Sequence, residues 1–298
     1  FELAQLQAGT PLYPEPHVAS LGSQHRYNAE MIFFHTSSDH MTFLEAPIGM
    51  PAVSFTNMPD RFIHSSDDDL WNIDRTQLGR SAAAVALIAY AMASADADDA
   101  AALTAETAGR GLERMGRNLR LALTWIATRD DKAAAYAEAA DQVWYAAERE
   151  RLAASSLREI HPDAAALADR FVEEVGRREA QARRELEAAY RQVTGRRPPR
   201  RQRSEVEAQL AAMQPVLAAG PEEFFTGRGR VGFVPGLHGL MRFEILNAVD
   251  GQRTGFDIYR YVAAEAREAG AYYFGVVTAE AVLQYLENAR EAGLIATN

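Results

Sequence analysis

The chain has 298 residues, with 31 Lys and Arg against 41 Asp and Glu, and it contains no cysteine. A net charge of −10 argues against nonspecific nucleic-acid binding, which needs a basic face. Without cysteine the chain can form no disulfide, thiolate metal site, iron–sulfur cluster or cysteine nucleophile. The longest apolar run, 82–93, is about half of the ~20 residues that a membrane span needs, so no span is expected.

The start of the chain carries no recognisable targeting pattern. Its first residue is Phe1, and no signal-peptide sequence follows it. We interpret this as a chain that begins within a longer protein, so the sequence assigns no compartment.

Two short apolar runs in the first part predict buried strands. These are Met31–Phe34 and Ala52–Phe55, and polar loops follow them at 36–40 and 57–69. A helix is expected next, from about Gln77 to Ala95. The alternation of strands and polar loops, followed by a helix, is typical of an α/β sheet. In such sheets, ligands bind beyond the carboxyl ends of the strands.

Residues 96–195 are dominated by Ala, Glu, Arg and Leu, which predicts a helical hairpin or bundle. Three long helices are expected, at roughly 98–128, 131–159 and 163–193. Opposite charges at i,i+4 spacing indicate a solvated face on the third helix. These helices are also where we expect any homo-oligomer to form.

Residues 196–230 are predicted to be a linker with a short helix. The linker opens within the sequence TGRRPPRRQRS (194–204), whose five arginines can bind an acidic partner or remain solvated. No aromatic residue is interleaved among them for base stacking. Further along, 227–232 match GxGxxG, but a dinucleotide site needs a strand before that motif and a helix after it. A loop is expected there.

Residues 231–298 predict a small winged-helix-like domain. Three short helices are expected, at about 237–249, at 254–270 and after Thr278, with a strand near the end. The second and third helices carry more acidic than basic residues. That balance argues against DNA and favours a packing or interaction module.

The stretch from Phe34 to Asp74 is dense in histidine, aspartate and serine. Taken alone, His64 with Asp67 and Asp68 fits a zinc ligand whose ring is oriented by nearby carboxylates. The same serines and aspartates can instead cap the helix that begins near Asp74. The spacing leaves both interpretations open.

The order of motifs in this stretch resembles the end of the M28 family of zinc aminopeptidases. The corresponding pieces are Ser-Asp-His with Phe43 (38–43), Gly-Met-Pro-Ala (49–52) and Ile-His-Ser-Ser-Asp-Asp (63–68). Two positions depart from the family pattern, since Ile63 stands where an aromatic residue is usual and Asp69 where Thr is usual. The resemblance covers roughly residues 1–95.

The resemblance implies roles for three residues. His64 matches the last zinc ligand, Asp39 matches the carboxylate on the substrate side, and Asp68 matches the residue four after the ligand. The complete family enzyme holds two Zn²⁺ ions, which activate water to hydrolyse the N-terminal residue of a peptide substrate. The family's other ligands lie upstream, so this chain is expected to be catalytically incomplete. The alternative is a non-catalytic interaction or assembly protein with a degenerate peptidase-like sheet.

The sequence thus predicts an α/β fold, the C-terminal part of a zinc-exopeptidase-like sheet in 1–95, followed by a mainly α-helical region in 96–195. A linker at 196–230 and a winged-helix-like domain at 231–298 complete the predicted chain. His64 and Asp39 are expected at one edge of the sheet, facing a common cleft.

Overall fold

The residues described by a computed structural model are 31–36, 38–56 and 60–297. The first thirty residues of the predicted peptidase segment, and parts of both of its polar loops, lie outside these described residues. Contacts divide the chain into two compact units. The first is Phe1–His35 with Val53–Ser94, and the second is Thr36–Ala52 with Ala95–Asn298.

The predicted α/β sheet is wrong for the described residues. Neither Met31–Phe34 nor Ala52–Phe55 forms a strand, and the side chains of Met31 and Val53 are 91% and 74% exposed. A strand is stabilised by hydrogen bonds to a neighbouring strand, and a run of four apolar residues finds no such neighbour here. A short apolar run does not by itself distinguish a buried strand from an irregular extended segment.

The described residues of the predicted peptidase segment contain two α-helices. Helix α1 (His40–Leu44) belongs to the second unit, and helix α2 (Arg75–Ser94) belongs to the first. Helix α2 confirms the helix predicted at 77–95, but no described sheet packs against it. None of its residues is buried, and Leu87 and Tyr90 are 67% and 71% exposed.

Three long helices form a bundle in the second unit, as predicted. They are α3 (Ala97–Thr128), α4 (Lys132–Ser156) and α5 (Ala164–Thr194), and each packs against the other two. Asp96 and Asp131 cap the first two helices by accepting hydrogen bonds from backbone N–H groups of the first turn. The short connections at 129–131 and 157–163 make successive helices antiparallel neighbours.

The bundle core consists of two apolar clusters with many alanines, which allow the helix backbones to approach closely. One cluster contains Ala122, Trp125, Ile126, Ala139, Val143, Ala182, Leu186 and Tyr190. The other contains Met115, Ala146, Ala147, Ala154, Phe171 and Val175. Residues of all three helices take part in each cluster, so both clusters hold the three helices together.

Shorter elements complete the second unit. They are α6 (Glu205–Ala212), β1 (Pro215–Leu217), α7 (Pro221–Gly227), α8 (Gly239–Asn247), α9 (Gly255–Ala269), α10 (Ala271–Phe274), α11 (Ala279–Glu291) and β2 (Ile295–Thr297). Strands β1 and β2 pair in antiparallel fashion, with Pro215 opposite Thr297. Helices α8, α9 and α11 occur where the three short helices were predicted. Strand β1 and helix α6 lie in 196–230, the stretch predicted as a linker with a short helix, and α6 packs on α9 and α11.

The GxGxxG match at 227–232 has a packing role. Helix α7 ends at Gly227, the first residue of the match, and a 3-10 turn (Arg228–Arg230) lies within it. A Cβ atom on Gly227 would lie 2.8 Å from Leu294 Cδ2, and one on Gly232 would lie 2.9 Å from Asn288 Nδ2. A side chain at either position would therefore require Leu294 or Asn288 to shift.

Candidate functional site

The loop that carries His64 is held by hydrogen bonds from its own short polar side chains. Asp60 Oδ1 accepts from the backbone N–H groups of Phe62 and Ile63, at 2.9 and 3.1 Å. Ser65 Oγ donates to the carbonyl of Phe62 at 2.6 Å. These bonds close a compact turn on both sides of His64.

His64 occupies a strained backbone position at the tip of this turn. Its φ of 62° lies in the left-handed region, and no other non-glycine residue of the described parts has a positive φ. Such a conformation persists only where surrounding contacts impose it, and it recurs at functional sites. The side chain of His64 is exposed. The turn thus presents the imidazole to solvent and does not bury it beneath Trp71.

The aspartates after His64 divide into two kinds. Asp69 Oδ1 accepts from the N–H of Leu70 at 2.6 Å, and Asp74 Oδ1 accepts from the N–H of Thr76 at 2.8 Å. The capping interpretation therefore accounts for Asp69 and Asp74. The capping interpretation does not account for Asp67 and Asp68, whose exposed carboxylates accept no hydrogen bond from the described residues.

Asp39 lies in the second unit, at the N-terminus of α1. Its side chain is exposed and makes no capping hydrogen bond. At the other end of α1, the buried carboxylate of Glu45 pairs with Arg228 and holds this segment on the second unit. Because His64 belongs to the first unit, the predicted cleft shared by His64 and Asp39 stays a prediction.

The described residues do not by themselves form a zinc site. Within 31–36, 38–56 and 60–297, no three His, Cys, Asp or Glu side chains come together to hold a metal ion. His64 can supply one imidazole, with Asp67 or Asp68 to orient it. A stable site uses about three or four protein ligands.

A second cluster of polar side chains lies where α4 meets α3 and α9, and sequence reasoning missed it. Its members are Arg114, Asn118, Gln142, Arg149, Glu150 and Glu268, here called the interhelix network. Glu268 accepts from Arg149 Nη1 at 2.9 Å and from Asn118 Nδ2 at 3.0 Å. Asn118 Oδ1 in turn accepts from Gln142 Nε2 at 2.7 Å. The network ties the bundle to α9 through partly buried hydrogen bonds.

The sequence signal for this network is the position of polar residues within an alanine-rich helix. Helix α4 is buried on several sides because α3 and α5 pack on it as well as α9. Its polar residues Asp141, Gln142 and Glu150 are consequently at most 5% exposed. A helix with charges on all sides normally indicates a solvated surface, which is why the pattern predicted only a bundle.

Two glutamates beside the network have a raised pKa. Burial raises the pKa of Glu244, on α8, to about 7. Burial also raises the pKa of Glu265, on α9, well above its usual value, and the charge of Glu244 raises it further. Arg149 on α4 opposes the increase at Glu265, whereas Glu268 adds to it. Two carboxylates thus share an environment that resists a second negative charge.

We expect the protein to lose stability as the pH rises from about 4.5 to about 7. Unfolded Glu244 releases its proton near 4.5, whereas folded Glu244 keeps it to about 7, so rising pH favours the unfolded state over this window. In Glu244→Gln, the decrease in the free energy of unfolding over this pH range should be smaller by about 3 kcal/mol. Urea unfolding at pH 5 and pH 8 measures the effect, with exposed Glu280→Gln as the matched control. Equal pH slopes for wild type and Glu244→Gln would contradict the assignment.

In comparisons with known proteins, no family model, no curated protein and no solved structure matches the chain. Among the helices of the described residues, none combines the length and apolar character required to cross a bilayer.

Proposed function

We propose that the chain supplies part of the active site of an M28-like zinc aminopeptidase. The observation that carries the proposal is the loop around His64. An exposed imidazole is held at a left-handed backbone position, with the unengaged carboxylates of Asp67 and Asp68 following it. This is the place in the motif order where the resemblance puts the last zinc ligand. The sheet that the resemblance implied takes no part in the argument.

In this proposal His64 binds one zinc ion through its imidazole, and Asp67 or Asp68 accepts the ring's other N–H. That hydrogen bond would set the tautomer and raise the basicity of the ligand. Asp39 would contact the peptide substrate. The remaining ligands would come from the upstream polypeptide that the resemblance implies, so the chain alone should show little turnover.

We expect His64→Ala to lower both zinc content and aminopeptidase activity in the chain extended by the upstream sequence of its gene. Loss of the ligand should reduce turnover of leucine-anilide by about 100-fold or more, and Asp68→Asn by about 10- to 100-fold. Bound zinc, measured by elemental analysis, gives a readout that does not depend on turnover. His35→Ala is the matched control, because His35 lies outside the matching motifs.

Two outcomes would count against the peptidase proposal. Equal zinc content in wild type and His64→Ala would remove the ligand role. An extended protein that binds no zinc and cleaves no anilide would favour the alternative, a non-catalytic interaction protein. The interhelix network supports that alternative, since it fixes the bundle and the C-terminal elements as one scaffold.

A further inference from the structure

The segment 196–203 between α5 and α6, here called the arginine strap, is anchored at both ends. Helix α5 ends at Gly195, whose φ of 69° is left-handed and whose N–H donates to the carbonyl of Arg191 at 2.8 Å. Helix α6 begins after Ser204, which forms a reciprocal capping box with Glu207. The strap itself contains neither helix nor strand.

The second half of the strap is fixed to the surface by Arg201. Its guanidinium donates to Asp141 Oδ2 at 2.6 Å and to Glu207 Oε1 at 2.7 Å. The same group lies 4.8 Å from the centre of the Phe256 ring, and Arg203 lies 4.7 Å from it. Asp141 is buried, so this anchor reaches into the bundle.

The first half of the strap carries three arginines whose side chains have no partner in the described residues. Arg196, Arg197 and Arg200 are exposed, and none of their guanidinium groups forms an ion pair or hydrogen bond there. Pro198 and Pro199 separate them and favour an extended backbone, which also restricts Arg197. Three positive charges thus stand together on a chain of net charge −10.

We infer that the arginine strap binds an extended acidic polypeptide segment through Arg196, Arg197 and Arg200. From Arg196 to Arg200 an extended backbone covers about 12 Å, the reach of about four residues of an opposing extended chain. Guanidinium groups bind carboxylates in bidentate fashion, which makes acidic side chains suitable ligands. The anchoring by Arg201 reduces the entropy lost when the ligand binds.

The same surroundings disfavour a nucleic acid. Recognition of single strands relies on aromatic rings on which bases stack. The ring that the strap contacts, Phe256, is already covered by Arg201 and Arg203, with Arg260 at 5.7 Å. The net negative charge of the chain opposes any polyanion that extends beyond the strap, which favours a short acidic segment over a long nucleic acid.

The test is binding of a fluorescent hexaglutamate peptide to the full chain, without zinc, at salt of about 50 and about 200 mM. The triple variant Arg196→Gln, Arg197→Gln, Arg200→Gln should bind at least about tenfold more weakly. Each exposed arginine–carboxylate pair contributes only modestly to the binding free energy, so this loss requires that all three pairs are removed together. The matched control is Arg177→Gln, Arg178→Gln, Arg184→Gln on the outer face of α5. It removes the same charge and should change affinity less than about twofold.

Several results would overturn the inference. They are no binding to wild type, an equal loss in the two triple variants, or tighter binding of an oligothymidylate of matched charge. Circular dichroism confirms that both variants fold, and both replace exposed side chains only. The assay is independent of His64, so failure here leaves the aminopeptidase proposal standing, and failure of that proposal leaves this one standing.

Discussion

Replacing Arg114 by alanine is expected to destabilise the bundle by about 3–5 kcal/mol, because it leaves the buried carboxylate of Glu150 without its main partner. Glu150 is fully buried on α4. Arg114 binds its two carboxylate oxygens in bidentate fashion, at 2.9 and 2.7 Å. After the substitution, the described residues leave only Arg149 as a charged partner, at 3.3 Å. Urea unfolding measures the loss.

The matched control for this prediction lies one turn earlier on α3. Arg110 pairs with exposed Glu106, so Arg110→Ala should cost less than about 1 kcal/mol. A second variant, Arg114→Met with Glu150→Met, removes both charges and should recover most of the lost stability. Equal costs for Arg114→Ala and Arg110→Ala would show that Glu150 does not depend on its partner.

Removing the carboxylate of Asp141 should have an effect of similar size, because two guanidinium groups converge on it. Arg201 and Arg260 each contact it at 2.6 Å, and both lie against Phe256. In Asp141→Ala, Arg201 keeps Glu207 and Arg260 keeps the more distant Asp257, but both lose the buried carboxylate between them, at a cost of about 3 kcal/mol. Unfolding measurements give this cost, and hydrogen exchange should show faster exchange around 200–206.

Asp169→Ala is the control for this second prediction. Asp169 pairs with Arg158 on the bundle surface and is largely exposed, so its loss should cost less than about 1 kcal/mol. If Asp141→Ala unfolds no more easily than this control, the strap is not held by Arg201. Unchanged exchange in the strap of a destabilised Asp141→Ala would lead to the same conclusion.

The loop around His64 shows which features of the candidate site the order of motifs could predict. The sequence placed His64, Asp67 and Asp68 in one polar loop after an apolar run, and the structure has all three exposed there. It could not indicate the left-handed backbone at His64, because that conformation is imposed by hydrogen bonds from Asp60 and Ser65. The strands before the loop were wrongly predicted, since a strand depends on a partner that local sequence does not specify.

What the sequence alone determined was the helical content beyond residue 74. The helix at 75–94, the bundle helices and the three short C-terminal helices all follow from local periodicity and capping residues, which act within a few positions of one another. Only the tertiary structure decided which charged residues are buried and which partners they contact. Arg201 and Glu150 look like solvated residues in the sequence, yet each contacts partners tens of residues away, Asp141 and Arg114. Such pairs form only when packing brings segments that are distant in sequence next to each other, which local patterns do not specify.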